Sequence, residues 1–120
     1  MLERIRPIRE KGIEILLVDA SNCQPREVEA IARTVPSYVT TRPRGSVLLL
    51  VDFSGASIDS EALRTLKESA VFDKPYIKRA VWIGAKRLLH DAHEAIRKFA
   101  RREMPIFENR QEALDWLLQD

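Results

Sequence analysis

Val47-Leu48-Leu49-Leu50-Val51-Asp52-Phe53-Ser54-Gly55-Ala56-Ser57-Ile58-Asp59-Ser60-Glu61-Ala62-Leu63 holds three structural signals in succession. Val47–Val51 is the longest purely apolar run of the chain, the pattern of a strand covered on both faces. Asp52 to Ser57 then supplies the Asp, Ser and Gly that favour a turn. Ser57, Asp59 and Ser60 are helix-capping candidates, and the helix they open puts Leu63, Leu66 and Ala70 on one face before Pro75 closes it. An apolar strand, a polar break and a capped helix make half of a β-α-β unit.

The same grammar extends in both directions. Upstream, Glu10-Lys11-Gly12 separates Ile5–Ile8 from Ile13–Asp19 and predicts a hairpin. Pro25 suits a first helical position, Glu27 and Glu29 suit the positive end of the helix dipole, and Val28, Ile31, Ala32 and Val35 form a stripe; this helix is expected to end or kink near Pro36. Downstream, Ala80-Val81-Trp82-Ile83 is a third apolar strand, and Met104-Pro105-Ile106-Phe107 a weaker one placed at a sheet edge by its proline. Leu88, Leu89, Ala92, Ile96, Phe99 and Ala100 keep helical spacing through Arg102. Asn109 with Glu112 opens a last helix burying Ala113, Leu114, Leu117 and Leu118, with Trp116 at its rim. The order predicts an α/β fold: one domain over 1–120, a leading β-hairpin, then alternating α and β, with a mostly parallel central sheet flanked by helices.

Composition limits the function classes. The 120 residues are 45% hydrophobic and 32% charged, and 20 Lys and Arg against 18 Asp and Glu leave a net charge of +2, which gives no reason to expect a nucleic-acid partner. Cys23 is the single cysteine, so neither an internal disulfide nor an all-cysteine metal site is available, and a cytoplasmic location is expected. The charged start Met-Leu-Glu-Arg-Ile-Arg-Pro does not read as a signal peptide, and no apolar run nears the ~18 residues of a membrane span.

Ligands of open α/β sheets sit beyond the carboxyl ends of the strands. Those ends are Asp19–Cys23, Asp52–Ser57, Gly84-Ala85-Lys86-Arg87 and Glu108-Asn109. Lys86 and Arg87 with helix-terminal amides could hold an anion, although turn and cap roles are the favoured account of these residues. Neither a Gly-x-Ser-x-Gly elbow nor a phosphate-binding glycine loop occurs, and no catalytic residue or cofactor is expected. A phosphoacceptor reading of Asp52 needs paired acids after the first strand, where Asp19 stands alone. His90 and His93 lack the order and the third ligand of a metal site and are expected on a solvated face, with His90 and Glu94 as an i,i+4 pair. Cys23 is expected as a small buried thiol.

Val51–Leu63 resembles the signature of STAS domains, the anti-anti-sigma-factor fold, in which a strand ending in Asp-x-Ser leads to Ile-Asp-Ser-Ser-Gly-Leu at a helix start. Over its length the chain looks like the small bacterial SpoIIAA-like group of STAS/Sec14-type proteins. Supporting pieces are the hairpin into Ile15–Asp19, Ser46–Asp52, Asp73–Lys78 and Glu112–Leu117. The resemblance implies a regulatory, non-enzymatic domain that binds a protein partner through Ser54–Leu63, with Asp52, Ser54, Ser57, Asp59, Ser60 and Glu61 as the partner-binding residues. Its Sec14 side implies an alternative, a binder of lipid or another apolar ligand between the sheet and a displaceable helix. Glu61 stands where switchable STAS proteins carry a phosphorylated serine, and Ala62 replaces the following glycine. The protein is then fixed in one state, or uses Ser54, Ser57 or Ser60, or has no phosphoswitch; capping and dipole effects already explain an acidic helix start.

Charge is unevenly spread. Residues 47–77 carry 3 basic and 5 acidic side chains, and residues 78–104 carry 8 and 3. Arg97, Lys98, Arg101 and Arg102 thus form a basic helix face, expected to be solvated, with an anionic protein or membrane surface as the alternative partner. A homodimer is the expected oligomer because closed two-fold pairs are common.

Overall fold

In a computed structural model, which describes residues 4–84 and 86–119 apart from the side chains of residues 86–88, the apolar runs form the middle of one five-stranded sheet. Its strands lie in chain order: β1 (Ile5–Glu10), β2 (Ile13–Asp19), β3 (Val47–Asp52), β4 (Ile77–Ile83) and β5 (Ile106–Phe107). β1 and β2 pair antiparallel around Lys11 and Gly12, whose φ angles of 53° and 78° suit the tight turn that follows sheet twist. The remaining pairings are parallel. Each needs a crossover, which α1 (Pro25–Val39), α2 (Ser60–Asp73) and α3 (Lys86–Ala100) provide; α4 (Arg110–Leu117) follows β5. The expected α/β fold with its leading hairpin is the one observed.

Strand alternation divides the core in two. Leu16, Val18, Ala80 and Trp82 face α1, α2 and α3, whereas Ile15, Leu17, Leu50 and Val81 face α4 through Ala113, Leu114 and Leu117. The inner strands are apolar on both faces because both are covered. α2 lies between α1 and α3 on the three-helix face. The sheet edges are β1, which contains Pro7, and the two-residue β5, which follows Pro105.

Several local expectations change. α1 does not stop at Pro36 but continues to Val39. Pro36 has no amide hydrogen for the Ala32 carbonyl one turn earlier, and that carbonyl instead meets the Ser69 hydroxyl of α2 at 3.0 Å. His93 is not on a solvated face. It is 7% exposed, meets Trp82 edge-on with ring centroids 5.3 Å apart, and donates from Nε2 to the Met104 carbonyl. Glu94 engages Arg97 at 2.8 Å. Phe99, expected in the apolar stripe, is 54% exposed and lies under Lys67 Nζ, 5.7 Å from the ring centroid. α3 ends at Ala100, before Arg102. Arg102 also leaves the solvated basic face: its guanidinium donates to the Ile77 carbonyl at 2.8 Å, and burial lowers its pKa. Met104 and Pro105 lie outside the last strand, although the Pro105 carbonyl accepts from Trp82 N at 3.0 Å.

Candidate functional site

The segment after β3 is stitched to the loop after β2. Asp52 Oδ1 accepts from the Ser54 amide at 2.9 Å, the Ser54 carbonyl accepts from Asn22 N at 2.7 Å, and the Cys23 carbonyl accepts from Ser57 N at 3.0 Å. Gly55 has a φ of 70°, and a side chain there would run into that of Asn22. Of the three capping candidates, Asp59 is the cap: its Oδ1 accepts from Ala62 N at 2.8 Å. Its other oxygen pairs with Arg26 of α1, which also meets Glu61 at 3.1 Å and Glu29 at 2.5 Å. The Ala62 amide, joined by Arg26 and opposed by desolvation, holds the Asp59 carboxyl below its usual range.

Asp59 and Glu61 are therefore brought together on one guanidinium, while Asp52 and Ser54 share a separate turn. Ser57 and Ser60 are exposed and Ser54 is half-buried. Arg26 had no distinguishing sequence signal, because its partners Asp59 and Glu61 are more than thirty residues away along the chain.

Asp19 and Asp52 are neighbours in the β2–β3 register, but each closes its own turn. Asp19 Oδ1 accepts from the Ser21 amide at 3.0 Å and hydroxyl at 2.5 Å, with Arg4 Nη1 at 3.9 Å. Burial would raise its pKa, but Ser21, Arg4 and Arg6 together outweigh that and lower it. Cys23 is buried as expected, and desolvation pushes its thiol up, away from a reactive thiolate. No group of three or more His, Cys, Asp or Glu residues suited to a metal ion occurs among the described residues. The anion site expected at Lys86 and Arg87 depends on side chains outside the described residues. No helix among the described residues is long and apolar enough to cross a membrane.

A cavity of about 80 Å³ lies between the sheet and α2. Val18, Leu49, Val51 and Trp82 form its floor, Val28 and Ile31 of α1 one wall, and Leu66, Ser69, Ala70 and Asp73 the underside of α2. Asp73 is 4% exposed. Ser69 Oγ lies 3.0 Å from Asp73 Oδ2 and 3.0 Å from the Ala32 carbonyl, whereas Asp73 Oδ1 has no hydrogen-bond partner. Burial pushes the Asp73 carboxyl up to about 6, against an opposing hydrogen bond from Ser69. Sequence reasoning missed Asp73, yet the stripe Leu66, Ala70 continues to position 73, so helical spacing already put a carboxylate on the inward face. Outward, α2 exposes Val71 (47%) and Phe72 (54%).

No protein-family model matches the sequence, and comparison with curated proteins gives no match. Among solved structures, an uncharacterized protein of the DUF3478 family with a SpoIIAA-like fold, from Shewanella loihica PV-4, superimposes with a TM-score of 0.73. The identity is 20%, and the match covers 94% of this chain and 91% of that one. The chain has a SpoIIAA-like fold, which agrees with the STAS resemblance of Val51–Leu63.

Proposed function

We propose that this STAS-like domain is a non-enzymatic binding module that takes up an apolar small molecule between its sheet and α2. The observation that carries this reading is the mismatch between α2 and the cavity it closes. An almost wholly apolar chamber is capped by a helix that turns Ser69 and Asp73 inward and leaves Val71 and Phe72 outside. The present volume is about half of the ~150 Å³ apolar cavity that accepts benzene in another protein. An alkyl chain therefore requires α2 to move outward, which trades its imperfect seal for ligand contacts. Native mass spectrometry of gently purified protein should reveal a co-purifying apolar species. A bare polypeptide mass in repeated preparations, together with no change in α2 hydrogen exchange on adding alkyl probes, would sink the proposal.

A second reading, a protein partner at Ser54–Leu63, draws support from the exposure of Ser57, Ser60 and Glu61 beside the first turn of α1. Ser60→Ala and Glu61→Lys are then expected to stay folded and lose a pull-down partner, and retention of every partner by both counts against it. The two readings meet in α2, which forms the cavity roof at one end and the partner-facing onset at the other.

A further inference from the structure

Ser69 has one hydroxyl hydrogen and two acceptors beside it. When Asp73 is protonated, below about pH 6, that hydrogen is free for the Ala32 carbonyl, to which Pro36 supplies no amide hydrogen one turn on. The contact between Ser69 Oγ and Asp73 Oδ2 then needs its hydrogen from the aspartic acid. The chain is complete when Asp73 Oδ2–H donates to Ser69 Oγ and Ser69 donates to Ala32. In that form Asp73 is uncharged, and its Oδ1 is a buried carbonyl-type acceptor with nothing donating to it, on a residue that lines the cavity. Burial favours the same protonated form. A neutral acceptor in an apolar chamber is met by an uncharged donor. An ammonium group would have to be desolvated against a neutral acid, and a carboxylate would bring a charge with no donor to receive.

We infer that the cavity, if it takes up apolar molecules as proposed above, selects those bearing one uncharged hydroxyl, held by donation to Asp73 Oδ1. Most of the remaining wall is apolar, so the hydroxyl sets the orientation of the bound molecule, its head at Asp73 under α2.

The test is calorimetric titration near pH 5 with 1-octanol and with heptyl methyl ether, isomers of one formula of which only the alcohol has a donor. Octanol is expected to bind about tenfold or more tightly than the ether. Asp73→Asn keeps an acceptor oxygen and an amide that donates to Ser69, so it retains the preference. Asp73→Leu abolishes the preference while keeping ether binding; should Asp73→Leu fail to fold, the wild-type and Asp73→Asn titrations still decide. Equal affinity for the two isomers overturns the inference and leaves the proposed function standing. Failure of both to bind overturns the proposed function as well. Tighter binding of octylammonium than octanol also overturns the inference, because it would mean an ionised Asp73.

Discussion

Replacing Asp73 with Asn exchanges a group that can ionise for one of the same shape that cannot. In the folded protein the carboxyl titrates at about 6, against 3.8 when solvated. Between these values the native state binds more protons than the unfolded chain, so stability falls as pH rises through this window and stays reduced above it. A gap of about two pH units at 1.36 kcal/mol each gives a penalty of about 3 kcal/mol at pH 8 and almost none near pH 4. Asn carries no such penalty: its amide can donate to Ser69 Oγ, as the protonated acid does. Carboxylates held low by their partners, such as Asp19 and Asp59, titrate the opposite way but are common to both proteins and cancel in the difference. Urea unfolding followed by tryptophan fluorescence, with Trp82 buried in the core, reads the effect directly. The Asp73→Asn midpoint should lie about 1–3 M higher at pH 8 and nearly coincide with wild type at pH 4. Superimposed midpoints at both pH values, or a variant weaker than wild type at pH 8, would refute the claim that Asp73 is buried at a cost.

Ser69→Ala strands the Ala32 carbonyl and leaves Asp73 without a neighbour, so chemical denaturation should show a loss of about 1–3 kcal/mol. Gly55→Ala forces a β-carbon into the Asn22 side chain at a positive φ, and thermal unfolding should report a cost of about 1–3 kcal/mol. Arg26→Ala frees Asp59 and Glu61; the expected outcome is a modest loss of stability that shrinks in high salt and a titration of Asp59, seen by NMR, moved toward its ordinary value.

Much of the fold was legible because burial on both sheet faces writes itself as unbroken apolar runs, and β2, β3 and β4 are such runs. The hairpin and the Asp59 and Asn109 caps were legible because each is decided within four residues. What failed was whatever depended on a distant partner. Pro36 reads as a helix stop until Ser69, on another helix, covers the carbonyl that it orphans. His93 reads as polar surface until Trp82 and the Met104 carbonyl surround it, although it stands four residues after Leu89 and three before Ile96 on the buried stripe. The candidate site divided in the same way. The helix onset was visible as a local motif, but the Arg26 cluster and the cavity arise only where separate elements pack together.

The two proline-marked borders of the sheet bear on how copies of this chain can meet. A sheet with bare margins invites a further strand from another molecule and, repeated, a fibre. Here β1 has at Pro7 a residue with no amide hydrogen to offer, between the charges of Arg6 and Arg9, and on the opposite margin the two-residue β5 covers only the end of β4, whose Ile77 carbonyl is taken by Arg102. Strand addition is therefore hindered at β1 by Pro7 and its flanking charges, whereas the β4 stretch beyond β5 is the margin where another strand would find the most backbone to pair with.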